Sequence, residues 1–358
     1  MNYKTIELLL LQLEESFSKS RSNIYSDNKK ENHFIELYKL FKAIKKSDYT
    51  LFGPTDLDEH KIILDYIFKG LEYLDNSTLN IIPYEIVSCL EYALTDWINR
   101  DDFIIVTSLS NRNNDFYFES IDNDESFNNR NKYIFGLYGL KVTHRLIKIG
   151  LPKVLSKDYL SCVVVYHELG HFVDSELNIS KKLLFKKYAT DDHTISYEAY
   201  QYYHYKMEFF ADLFAAQYIN DASNLFLNYI ASKNKDSLTH PATLTRIAVV
   251  NKFLLGEKCV ELEEFNKVLS LSGASILQVR HEAIDGKKSG FLDLIPQNIT
   301  NKNELHYIYK LGWDFWSNSD HNFLKDFKPR QKYHIINNLI EKSISNFTIT
   351  ETWREVSK

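Results

Sequence analysis

Apolar positions recur every three to four residues through most of this chain, the period of a helix buried along one face. Over the first hundred residues the spacing predicts four helices, near 3–20, 30–46, 56–75 and 82–99, with Leu37, Leu40, Phe41 and Ile44 forming one such stripe. Pro54 and Asp56 suit the start of the third helix and Pro83 that of the fourth. The pattern changes at Asp101-Asp102. Phe103 to Thr107 and Asp115 to Ile121 are strand-like runs separated by an Asn-rich turn, and Lys132 to Tyr138, after a hydrophilic stretch at 122–131, reads as a third. The expectation is a small antiparallel sheet whose edge can pair with an extended peptide. Helical spacing then returns. A helix capped by Ser156, with Asp158 in its first turn, runs to Leu177-Asn178, and others cover 181–188, 196–219, 221–231, 241–255 and 261–270. Residues 191–194 read as an acidic turn, 282–303 as a loop-rich junction and 333–346 as a last helix. The fold class is therefore mainly α with a small antiparallel β-sheet (α+β). Three regions follow: a helical N-terminal region 1–100, a central domain 101–280 and a helical, aromatic C-terminal region 281–358.

Composition narrows the setting. A chain of 358 residues, 44% hydrophobic, can bury a large core, and its net charge of -5 gives no reason to expect nucleic acid as a partner. Cys89, Cys162 and Cys259 are widely separated and odd in number, so a disulfide framework is not expected and a reducing compartment is. The apolar run Leu8 to Leu11 is too short for a signal-peptide core, and nothing approaches the roughly 20 apolar residues of a membrane span. A cytoplasmic protein without a membrane span is the expectation.

Chemistry concentrates at His167-Glu168-Leu169-Gly170-His171. Residues four apart share a helix face, so His167 and His171 project side by side and can grip one zinc ion. Glu168 is rotated about 100° from His167, placed to act as general base toward a water at the metal. Zinc needs a third protein ligand. The H-E-x-x-H-x-x-G-x-x-H solution fails, because Asp174 stands where the glycine belongs and Leu177 where the histidine would be. Glu208 and Asp212 lie four apart in Met207 to Ala216, an otherwise apolar helix. Glu208 is assigned as the third ligand and Asp212 as the acceptor for the free ring nitrogen of one ligand histidine. His204, one turn before Glu208, is the competing ligand. Asp174 is assigned as a supporting or helix-end carboxylate, Cys162 as a small core residue, and Cys89 lacks the glycine turn of a deformylase-type ligand.

A further element is His240-Pro241-Ala242-Thr243-Leu244-Thr245-Arg246-Ile247. Brought over the metal, His240 or Arg246 would stabilise the oxyanion formed when water adds to a peptide carbonyl. Arg246 has an alternative role, an ion pair with Asp212 or Glu208. The tyrosines at 197, 200, 202, 203 and 205 offer another oxyanion donor.

HELGH at 167–171, EFFAD at 208–212 and HPATLTRI at 240–247 together resemble gluzincin zinc metallopeptidases, most of all the CAAX-prenyl and HtpX-like peptidase family. The resemblance covers about residues 157–250. It implies a zincin-like catalytic core with one zinc per chain held by His167, His171 and Glu208, Glu168 as catalytic base, and Asp212, His240 and Arg246 in support. The implied activity is hydrolysis of a protein or peptide substrate. That family is commonly membrane-embedded and this chain has no spanning segment. The expectation is thus a soluble variant, a dedicated regulatory or phage-defence protease similar to Lit-like or ImmA/IrrE-like proteins. The alternative is a zinc-holding sensor or protein-interaction module.

Overall fold

Three helices open the chain where apolar spacing places them: α1 (Tyr3–Ser20), α2 (Asn28–Ile44) and α3 (Pro54–Asp75). The computed structural model describes residues 2–25, 28–78, 84–110, 116–120, 124–155, 158–189, 196–286, 289–317 and 324–356. Pro83, Ser156 and the turn at 191–194 lie outside the described residues. Asn2 caps α1, its side chain accepting from the Lys4 N–H at 3.1 Å, and the helix buries Ile6, Leu10, Leu13 and Phe17. Pro54 occupies the first position of α3, while the Asp56 carboxylate accepts from the Gly53 N–H at 3.2 Å. The next helix, α4 (Tyr84–Leu94), follows, then β1 (Phe103–Ser110), β2 (Tyr117–Ser120), α5 (Asp124–Tyr138) and β3 (Arg145–Pro152).

The sheet has the order β1-β3-β2, with β1 parallel to β3 (Phe103 opposite Arg145) and β2 antiparallel to it (Tyr117 opposite Gly150). It is a mixed sheet, which corrects the antiparallel expectation. Parallel neighbours cannot be joined by a tight turn, and α5 forms part of the crossover between them. Residues 132–138, expected as a strand, are the second half of that helix: Ile134 is buried while Phe135 and Leu137 face solvent. The true third strand, β3, is buried at all eight positions, so it lacks the alternation by which half-buried strands are recognised. A Cβ on Gly150 would lie 2.2 Å from the Tyr117 ring, so the strand passes beneath that ring only as glycine. Leu37, Ile67, Ile104, Val106 and Leu146 share one core, and Met1–Val87 with Asn99–Ser156 forms one compact unit.

The second unit joins Ser88–Ile98 to Lys157–Lys358. Its helices are α6 (Val164–Leu177), α7 (Ile179–Tyr188), α8 (Tyr197–Ile219), α9 (Ala222–Ala231), α10 (Thr243–Leu254), α11 (Val260–Leu271), α12 (Lys302–Ser317) and α13 (Pro329–Val356). Ser196 caps α8, accepting from the Ala199 N–H at 3.2 Å. From Ala211 to Ile219 every residue of α8 is buried, because α6, α7, α9, α10, α11 and α12 all pack around it. The Asp158 carboxylate accepts from the Ser161 N–H (3.1 Å) and hydroxyl (2.9 Å) and from the Tyr333 hydroxyl (2.6 Å). These bonds brace a 3₁₀ turn at Ser161–Val163, and α6 proper starts after it, later than expected. The molecule is mostly helical, and among the described residues no helix is long and apolar enough to cross a membrane.

Candidate metal centre

The site exists because α6 and α8 approach closely. A Cβ on Gly170 would stand 2.8 Å from the Ala211 Cα and 3.0 Å from the Phe214 Cβ, so only glycine permits this spacing. The contact lies between His167 and His171 in the chain and sets their face against Glu208. The two imidazoles meet edge-on, with ring centroids 4.6 Å apart. His167 Nε2 lies 3.5 Å from Glu208 Oε2, and His171 Nε2 lies 3.5 Å from Glu208 Oε1. A tetrahedral ion bound at about 2.0–2.2 Å leaves its donor atoms roughly 3.3–3.6 Å apart, so these spacings suit a metal ion. The three side chains form a group able to hold one.

Behind the donors is a charged network. Asp212 Oδ1 is 2.9 Å from His167 Nδ1, the nitrogen pointing away from Glu208. Arg246 donates from Nε and Nη2 to the two oxygens of Asp212, both at 2.7 Å, and its Nη1 is 3.0 Å from Glu208 Oε2. Burial alone would raise both acids. His167, His171 and Arg246 outweigh it at Glu208, and Arg246 and His167 do so at Asp212, so both carboxyls are held below the usual range. For His167 burial acts downward, but hydrogen bonds to Asp212 and Glu208 lift it to about 10. Burial also opposes the charge of Arg246, and Asp212, Glu208 and Glu168 more than restore it. Glu208, held anionic and facing both imidazoles, completes a donor set for a cation, with Asp212 behind the His167 ring.

The remaining predicted residues fall around this centre. Glu168 is buried on α6 immediately after His167. Between the two roles weighed for Arg246, the structure shows the ion pair, made with both acids. His240 is exposed, with Nε2 3.5 Å from Glu208 Oε1 and Nδ1 2.8 Å from the Thr239 hydroxyl. His204 meets the Tyr200 ring at a tilt and the Tyr203 ring edge-on, outside the triad. Asp174 accepts from the Ser180 N–H at 2.7 Å, tying the end of α6 to the start of α7, and burial raises its carboxyl. Tyr205 donates to the Ser237 carbonyl (2.8 Å), and Asp236 accepts from the Ala242 N–H (2.7 Å); together they hold the segment that carries His240. Asp236 has no motif to announce it beyond an acid shortly before a helix start. A cavity of about 470 Å³, lined among others by Lys233, Lys235, Ser237, His240 and Arg246, opens beside this segment. Comparison with protein-family models, curated proteins and solved structures gave no significant match.

Proposed function

We propose that the chain is a zinc-dependent metallopeptidase of gluzincin type. The observation that carries this reading is the pair of 3.5 Å separations between the ring nitrogens of the H-E-x-x-H histidines and the two oxygens of Glu208. Two imidazoles and one carboxylate are the donor set of catalytic zinc sites. When bound, zinc supplies Lewis-acid polarisation of a peptide carbonyl and makes a neighbouring water more acidic. His167, His171 and Glu208 hold the ion. Asp212 fixes the His167 ring in the orientation that turns Nε2 toward Glu208, and Arg246 keeps both acids charged and in place. Glu168 takes a proton from the attacking water and returns it to the leaving amine. His240, exposed and beside Glu208, donates to the developing oxyanion. The resemblance to CAAX-prenyl and HtpX-like peptidases in these segments supports the same roles, with a protein or peptide as substrate.

Elemental analysis of the purified full chain, paired with a proteome-wide cleavage assay, tests the reading. One zinc at the triad and specific cleavage by the wild type are expected. The Glu168→Gln variant should keep its metal and lose about 10²–10⁴-fold in rate. Undiminished hydrolysis by that variant would remove Glu168 from the mechanism. A wild type that binds no zinc would end the proposal, and zinc with no cleavage of any protein would favour a metal-holding sensor or interaction module.

A further inference from the structure

The first unit contains a second cluster of ligating side chains with no part in the chemistry above. His33 and Glu36 lie three apart on α2 and share one face. His144, in the segment leading into β3, faces them, and the donor atoms of all three lie within 4.8 Å of one another. His33 is fully buried, and among the described residues neither of its ring nitrogens has a hydrogen-bond partner. Nδ1 of His144 is likewise buried without a partner. An imidazole placed in a core with both nitrogens unbonded has given up its water for nothing in return, whereas core histidines in a purely structural role bond at one nitrogen or both. His60 in the same unit does so, with Nδ1 2.7 Å from the Asp56 carbonyl oxygen and Nε2 2.7 Å from the Tyr138 hydroxyl. Glu36 is already aimed. Its Oε2 accepts from the Thr143 N–H at 2.9 Å and its Oε1 from the Thr143 hydroxyl, leaving further lone pairs on both oxygens. Ligating carboxylates are commonly fixed by such outer hydrogen bonds.

We propose that His33, Glu36 and His144 form a second metal site, for a late first-row divalent ion of the zinc type. Two imidazoles and a carboxylate select such ions over Mg²⁺ and Ca²⁺, which take oxygen ligands. The half-buried Glu36 and His144 close onto the ion by small rotations, while His33 is fixed by the core. The ion bridges α2 to the segment entering β3, and its role is to hold those elements together.

The test is zinc stoichiometry on the full chain after equilibrium dialysis against Zn²⁺. Four proteins are compared: wild type, His144→Ala, Glu36→Gln and His171→Ala. The expected counts are two ions per chain in the wild type and one in each variant. His144→Ala and Glu36→Gln should cleave substrate as the wild type does. Circular dichroism checks that His144→Ala is folded; if it is not, the isosteric Glu36→Gln decides. Two ions in both of those variants, or a single wild-type ion that only His171→Ala removes, overturns the second site. A single ion lost in His144→Ala and Glu36→Gln but kept in His171→Ala upholds this site and overturns the peptidase reading. No bound zinc in the wild type overturns both.

Discussion

Arg246 is the buried cation that ties the two acids of the candidate centre together. Its guanidinium donates to Asp212 twice and contacts Glu208. Replacing it by Met leaves two buried carboxylates without their cation, a change that costs about 3–5 kcal/mol. Urea unfolding should register that loss, and a drop below about 1 kcal/mol would mean the pair is compensated elsewhere. Asp212 lies one step nearer the His167, His171 and Glu208 triad, touching the His167 ring. Asp212→Asn should weaken zinc binding by about 10–100-fold while Arg246 still has Glu208, measured by competition with a chromophoric chelator; unchanged affinity would show that the His167 ring is oriented without it. Much of this centre was legible in sequence, because a spacing of four on a helix fixes a shared face and two pairs, His167 with His171 and Glu208 with Asp212, obey it. Arg246 was not settled there. Whether it meets Asp212, Glu208 or a substrate depends on how α10 lies against α8, and local spacing carries no information about that. Asp174 was legible only in part, since its bond to the Ser180 N–H depends on the left-handed turn at Asn178 (φ 53°) that starts a new helix at once.

At the level of elements, the α6–α8 contact is the one the site depends on. Gly170→Ala pushes a methyl group against the backbone of Ala211, and overpacking of this kind costs about 1–3 kcal/mol. The two helices must separate to accept it, which moves both histidines from Glu208. Metal affinity should therefore fall together with the urea midpoint; a stability loss with intact affinity would show that the site tolerates the displacement. Helices with a single buried stripe were legible to within a few residues at α1 and α3, and α8, buried all round in its second half, was legible through its Ser196 cap and its length. Two other elements buried on several sides were not. In β3, Lys148 is buried with its ammonium 4.6 Å from the Tyr73 ring centre and 5.4 Å from that of Tyr117, so a lysine sits where a core strand is expected to be apolar. In α12, five aromatic residues between Tyr307 and Trp316 favour a strand locally, although Leu305, Ile308, Tyr309 and Trp313 form a helical stripe.

On the scale of the whole molecule, two units each with its own interior give no reason for a single cooperative transition. Which unit residues 88–98 join was not legible, because the bonds that decide it are remote: Trp97 Nε1 donates to the Tyr218 hydroxyl, 121 residues away. The second unit also carries an acid-sensitive group. His306 is buried against Tyr166, whose hydroxyl is 2.8 Å from its Nδ1, and burial, aided by Lys302 and His281, holds it down to about 3. It stays neutral in the folded state, while in the unfolded chain an imidazole protonates near pH 6.5. Between pH 6.5 and 3 the unfolded state thus binds the extra proton. Stability contributed by this group is complete above pH 6.5 and falls as the pH is lowered, by up to about 1.4 kcal/mol per unit. His306→Gln cannot take up that proton and keeps an amide for the Tyr166 hydroxyl. Urea midpoints between pH 7 and 4.5 should then show a shallower acid slope for the transition of the second unit and no change for that of the first. Identical slopes in wild type and variant would mean that other groups govern the acid response.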